Sequence, residues 1–293
     1  MSAAAVRPRF FGAVRGEAIK VTRQLSFWLM LVGAFVLLGV IILAISSAQN
    51  VGDAMRTDPT GFLYTSLDIF GTTFQIGSGI FLLIIGSRLI GMEYSSGTVR
   101  ILYARGAGRL RLLLAKMLAL ALIGVALLAG YALVVGGIMA ALIAGYTGSL
   151  DPLQQVSNAF WQDLARWGLV QGMSMSMAIL LAAAAAGLGR SLAFAMAGSL
   201  AFFPADNFLT IILALGARAT GHIHPWYDIS QYQLGGNLNV VLRLIEPSHH
   251  SRPAFAAPLL PVDATHALSV IGVYAVLFAA LAIWRAIKPD VLE

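Results

Sequence analysis

Few residues in this chain could carry chemistry, and their spacing narrows the choice further. The three lysines, Lys20, Lys116 and Lys288, follow Ile19, Ala115 and Ile287. No Gly-Lys pair therefore exists, and the G-x-x-x-x-G-K-[ST] loop, whose backbone amides and lysine hold nucleotide phosphates, is absent. With no cysteine there is no thiolate nucleophile, thiolate metal site or disulfide framework. His222-x-His224 and His249-His250 carry donor atoms that suit a transition metal, but nothing in their spacing, or in that of His266, requires one shared site. Met173, Met175 and Met177 alternate at a spacing of two, which on a helix turns Met175 away from the other pair. There is no H-E-x-x-H pattern, and no histidine lies beside Ser78 or Ser174 as a base. Two acids remain, Asp68 and Asp206, each set in an apolar stretch. A carboxylate in hydrocarbon is costly unless paired or hydrated, so both are candidates for a translocation pathway or proton relay, with an interfacial position as the alternative.

The elements that must position these groups follow from composition. The 293 residues are 59% hydrophobic and only 11% charged, against about 25% charged in soluble domains. Too little polar surface is available for a disordered chain, a basic nucleic-acid-binding domain or most soluble enzymes. The fold class expected is an all-α membrane protein. A bilayer core about 30 Å thick is crossed by about 20 apolar helical residues. Six spans meet that requirement, at about 27–46, 67–90, 116–146, 167–189, 191–216 and 264–284, within a single transmembrane domain covering 1–293. The fifth is interrupted by Pro204-Ala205-Asp206-Asn207: either a kinked helix crosses, or the crossing ends by Phe203 and a short re-entrant helix runs from Phe208 to Leu215.

Charge sets the orientation. With the first residues in the cytoplasm, the internal segments hold 14 of the 19 basic residues and a net charge of +10, and the external ones −4. The positive-inside rule then predicts six spans with both termini cytoplasmic, in a plasma (cell inner) membrane. The first apolar run is too long for a signal-peptide core and is expected to be retained. Before it, Phe10, Phe11, Val14, Ala18, Val21 and Leu25 form one apolar stripe flanked by Arg9, Arg15, Lys20 and Arg23. The pattern predicts an interfacial helix over 9–25, apolar side toward the acyl boundary and basic side toward anionic headgroups, with docking on a partner protein as the alternative. Leu238, Val241, Leu242 and Ile245 keep helical spacing in the external loop 217–263, predicting a second interfacial or re-entrant helix there.

The cytoplasmic segment 91–110 between the second and third spans lies within the stretch Arg88 to Lys116, which carries six basic residues and one acid. Ser95 or Ser96 is suited to cap a helix running to about Arg105, Gly106 to end it, and a further helix starts near Arg109 and continues into the third span. Glu93 just after the second span, the Gly97-Thr98 pair, the apolar and basic stretch Val99 to Arg105, the small-residue turn with Arg109, and Leu113-Leu114-Ala115-Lys116 together resemble the permease subunits of the ABC-2 family of ATP-binding cassette transporters. Members often carry a proline in the turn, where this chain has Gly106-Ala107. The six-span layout and basic N-terminal helix are similar as well.

The resemblance implies a permease, most often exporting, with a cytoplasmic coupling helix seated in a groove of an ATPase subunit. It assigns ATPase coupling to Glu93, Gly97, Thr98, Arg100 and Arg105. It also implies two ATPase subunits per complex, a second permease copy or a related half, and re-entrant helices between the last two spans. ATP and Mg would be bound by the partner ATPase, and this chain would hold no cofactor and perform no catalysis. Membrane lipids are the remaining partners, and nucleic acid is not one. The rival readings are an ATP-independent secondary transporter or channel, for which only Asp68 and Asp206 could form a relay, and an intramembrane enzyme.

Overall fold

The computed structural model describes residues 10–47, 51–97, 108–246 and 255–288. Among these there are no strands. The order is α1 (Phe10–Thr22), α2 (Leu25–Ser47), α3 (Val51–Thr57), α4 (Pro59–Ser95), α5 (Arg109–Thr147), a 3-10 turn (Asp151–Gln155), α6 (Asn158–Gly189), α7 (Leu192–Thr220), α8 (Trp226–Ser230), α9 (Leu234–Ile245) and α10 (Ala264–Ile287). Six of them, α2, α4, α5, α6, α7 and α10, are long and apolar enough to cross a membrane. The all-α membrane fold expected from composition is the fold observed.

Two helices begin well before the uncharged windows that announced them. α4 starts at Pro59, where the Asp58 carboxylate accepts from the Gly61 N–H at 2.8 Å and proline occupies the first turn, whose N–H groups have no partner within the helix. α6 starts at Asn158 behind a Ser157 cap. Asp68 thus lies about two and a half turns inside α4 rather than at its mouth. Asp163 and Arg166 likewise fall inside α6. The fifth span is one helix through Pro204, so a separate helix over 208–215 is not observed. Proline removes an N–H from the ladder there, and the Asn207 side-chain amide, donating to the Phe203 carbonyl at 2.8 Å, adds a hydrogen bond in that turn.

α6 is the most buried span and α2 the least. The small run Ala182 to Ala186 lets α6 approach its neighbours closely: a methyl group placed on Gly86 of α4 would lie 3.0 Å from the Ala182 Cβ. α4 meets α7 along a polar seam, with Ser87 Oγ donating to the Ala195 carbonyl at 3.0 Å and the Leu192 N–H donating to Ser95 Oγ at 2.9 Å. By contrast, a methyl group placed on Gly77, Gly79, Gly130, Gly136 or Gly137 would meet no neighbouring helix within 4 Å among the described residues. Two apolar grooves flank the α4–α5 contact. One of 460 Å³ lies among α4, α5 and α6. The other, of 450 Å³, separates α2 from α4 and α5. Tyr131 lines both and fixes their partition by donating from its hydroxyl to the Phe70 carbonyl at 2.7 Å.

Candidate functional site

The last turn of α4 brings Glu93 to the end of the bundle where α1 lies, and α5 begins at the same end. Gly97, with φ of +68°, adopts the left-handed conformation common just past a helix end, which glycine takes without a Cβ clash. Ser96 closes α4 with its N–H (2.9 Å) and its hydroxyl (2.7 Å) on the Met92 carbonyl. Ser95 is engaged by α7. These serines therefore complete the C-terminal end of α4, where a carbonyl left open by the helix and the N–H of Leu192 engage their side chains, and the helix that one of them was expected to cap lies outside the described residues. Thr98, Arg100 and Arg105 lie outside the described residues, as does the coupling helix expected over them.

Among the described residues, Glu93 belongs to a four-membered ionic cluster. Lys116, on the second turn of α5, is buried with 3% of its side chain exposed. Its ammonium donates to Glu93 Oε1 at 2.8 Å, to Glu17 Oε2 at 2.9 Å and to the Leu89 carbonyl at 2.9 Å. All three protons of the Nζ are thus used. Lys20 completes the group, donating to Glu17 Oε1 at 2.7 Å and to Glu93 Oε1 at 3.2 Å. Within this group of described residues, two acids and two bases cancel. Burial draws the Lys20 pKa down, but the hydrogen bonds and charges of Glu17 and Glu93 outweigh it, so its pKa ends above the ordinary lysine value.

Glu17 reaches Lys116 because α1 packs on α5. Val14, Glu17 and Val21 share one face of α1 and are buried, and Val14 meets Ala115 and Ala119 of α5. Val14 and Val21 of the stripe read from the sequence are buried on this face, with Phe10 and Ala18 packed beside Val14, while Phe11 and Leu25 stay exposed and an acid sits in the middle of the face that docks on the protein. The signal was present as Glu17 three residues after Val14 and four before Val21, an acid on an otherwise apolar helical face. Lys20, assigned to the headgroup side, turns its ammonium inward to the two carboxylates. Nearby, Arg285 donates to the Gly187 and Leu188 carbonyls at 3.0 and 3.3 Å, placing a cation on the negative end of α6. Arg109 donates to the Lys288 carbonyl at 3.1 Å.

The two acids singled out within spans are not brought together with this cluster. Asp68 is half-buried in the N-terminal half of α4. Asp206 accepts from the Gly235 N–H at 2.6 Å, and Gln233 donates to the Asp206 carbonyl at 2.6 Å. Asp206 thus anchors the start of α9, and Gly235 permits it: a Cβ there would lie 2.6 Å from the carboxylate oxygen. α9 buries Leu234, Leu238 and Val241 in the main core and packs on α6, α7 and α10. Sequence reasoning missed Asp163, which is fully buried, accepts from the Tyr64 hydroxyl at 2.8 Å and pairs with Arg166. Of the histidines, His224 pairs with Asp228 at 2.7 Å, His222 Nδ1 lies 2.7 Å from the Thr220 carbonyl and His266 Nε2 lies 3.0 Å from the Gln231 carbonyl. His249 and His250 lie outside the described residues. Among the described residues, no three His, Asp or Glu side chains cluster as metal ligands.

The ABC-2 family transporter model matches residues 13–205, from α1 through the middle of α7, and so takes in Glu17, Lys20, Glu93 and Lys116. The chain belongs to the ABC-2 transporter family. It is also 23% identical over 242 residues to YhcI, an uncharacterized protein of Bacillus subtilis (strain 168), across 79% of this chain and 70% of YhcI. The ABC-2 chain is accordingly an integral membrane protein and the membrane component of an ABC transporter. In that class the ATPase is a separate, associated subunit. The matched region stops before α8, α9 and α10, so the docked helix α9 lies beyond it.

Proposed function

We propose that this ABC-2 permease couples ATP hydrolysis by two separate ATPase subunits to export, through the segment that begins at Glu93. The ATPase subunits bind the ATP and Mg, and the permease works with a second copy or a related half. Its α1 end faces the cytoplasm of a plasma (cell inner) membrane, the orientation favoured by the distribution of basic residues. Glu93, Gly97, Thr98, Arg100 and Arg105 form the coupling set. Asp68 and Asp206 line the outer half of the pathway.

The observation that carries this reading is the joint between the bases of two long spans. Glu93 lies in the last turn of α4 and Lys116 in the second turn of α5, and the two are 2.8 Å apart. A push on the segment between them therefore loads both spans at once, and rigid helices convert it into a tilt. The energy reaches the permease as a difference in stability between two packings, with no chemistry in the chain itself. In proteoliposomes holding permease and ATPase, Arg100→Ala and Glu93→Ala should stay assembled but lose the permease-dependent part of ATP turnover. Wild-type turnover in both variants would remove the segment from the coupling path.

A further inference from the structure

We infer that the first span is driven through α1, with Glu17 and Lys116 as the positioning residues that carry motion from the coupling segment to α2. The inference rests on the coupling role proposed above and extends it to a span that the coupling segment does not adjoin in sequence.

Three observations meet here. Lys116 ties three helices with one ammonium: α1 through Glu17, α4 through Glu93 and the Leu89 carbonyl, and α5 on which it stands. The tie is buried on both carboxylate sides, at 6% exposure for Glu17 and 14% for Glu93, so water competes poorly for it. Displacement of Glu93 thus moves α1 together with the base of α5, to which Val14 also holds it.

α1 is in turn joined closely to α2. Only Arg23 and Gln24 separate the helices. The turn is closed by the Gln24 N–H on the Val21 carbonyl at 3.0 Å and the Phe27 N–H on the Gln24 carbonyl at 3.1 Å. The Trp28 indole donates across the joint to the Thr22 carbonyl at 2.9 Å. So short a joint with three cross-links transmits a tilt rather than absorbing it.

α2 itself is free to respond. It is the least buried span, and the 450 Å³ apolar groove runs between it and the facing sides of α4 and α5. Closing or opening that groove exchanges protein contact for lipid contact without exposing polar backbone. Near its base α2 is attached to α4 by the buried Phe27 ring, edge-on to Phe81 at 5.5 Å, and the joint before it by a long hydrogen bond from Arg88 Nε to Gln24 Oε1 at 3.3 Å, so the held end is a pivot for the exposed remainder. α1 is then the stiff link between the ionic tie and the mobile span.

The absence of native cysteine makes the route testable by labelling. Spin labels at Ala34→Cys on α2 and Ile80→Cys on α4 face the groove. In the assembled complex, a non-hydrolysable ATP analogue should change their separation. Glu17→Gln, which keeps the Glu93–Lys116 contact, should abolish the change while the ATPase stays bound. In that background, a short thiol cross-link between Val14→Cys and Ala115→Cys, made in an unlabelled pair and read from groove-facing tryptophan fluorescence at Phe35→Trp, should restore the response. As a check independent of any partner, amide exchange over 10–22 in the purified chain should quicken about tenfold in Glu17→Gln. An unchanged nucleotide response in Glu17→Gln, a cross-link that restores nothing, or a wild-type complex that turns over ATP without moving α2 would each overturn the route while leaving the coupling segment intact. Failure of the ATPase to assemble would overturn both.

Discussion

Lys116→Met should destabilise the folded chain by about 3–5 kcal/mol, the cost typical of removing one member of a buried ion pair. Methionine keeps much of the stem's volume in the apolar seam, so the loss falls on the ammonium alone. That loss strands two carboxylates, Glu17 and Glu93, both largely withdrawn from water. Lys20 cannot take over, because it is half-exposed and already bonded to both acids. For the same reason Lys20→Met should cost under about 1 kcal/mol, as expected of a solvated pair. The two variants have the same charge change, so their contrast isolates burial. Monodisperse protein remaining after graded heating in detergent measures it. Adding Glu17→Gln to Lys116→Met should recover part of the loss, since it removes one stranded charge, and that non-additivity identifies the contact as direct.

A second large effect is expected at the opposite end of the bundle. Asp163→Ala should cost about 2–3 kcal/mol, because it deprives the Tyr64 hydroxyl and the Arg166 guanidinium of one fully buried acceptor. The value is set below that for Lys116 because Arg166 remains about a third exposed and can be hydrated. Tyr64→Phe removes only the donor and leaves Asp163 paired with Arg166, so it should cost about 1 kcal/mol. The same heating assay separates the three variants, and equal losses for Asp163→Ala and Tyr64→Phe would contradict the assignment of Asp163 as the shared acceptor.

These two sites mark where the sequence is legible and where it is not. Uninterrupted apolar length reports a bilayer crossing directly, so six spans can be read without any knowledge of packing. The same criterion shortens α4 and α6, because it stops at Asp68 and Arg166, whereas the helices reach back to the caps at Asp58 and Ser157. Cap residues record where a helix begins, and absence of charge records only where hydrocarbon begins.

The cluster divides along a similar line. Glu93 and Lys116 stand out because each sits at the edge of a long apolar run. Glu17 and Lys20 look like ordinary charges on an amphipathic helix, and only the docking of α1 on α5 turns them inward. Asp206 is conspicuous in sequence, but its partner Gly235 is 29 residues away and carries no side chain to announce the contact. Pairings between distant elements are fixed by tertiary packing, which local periodicity does not encode.

The coupling of this permease to its motor is tested most directly by placing a photo-crosslinking benzoylphenylalanine at Thr98 or Arg100, and at Ser149 beyond the opposite end of α5, in cells that also make the ATPase subunit. The expected result is an ATPase adduct from positions 98 and 100 and none from 149. Adducts from 149, or none from 98 and 100 in a complex that still hydrolyses ATP, would contradict the assignment of this segment as the contact between permease and motor.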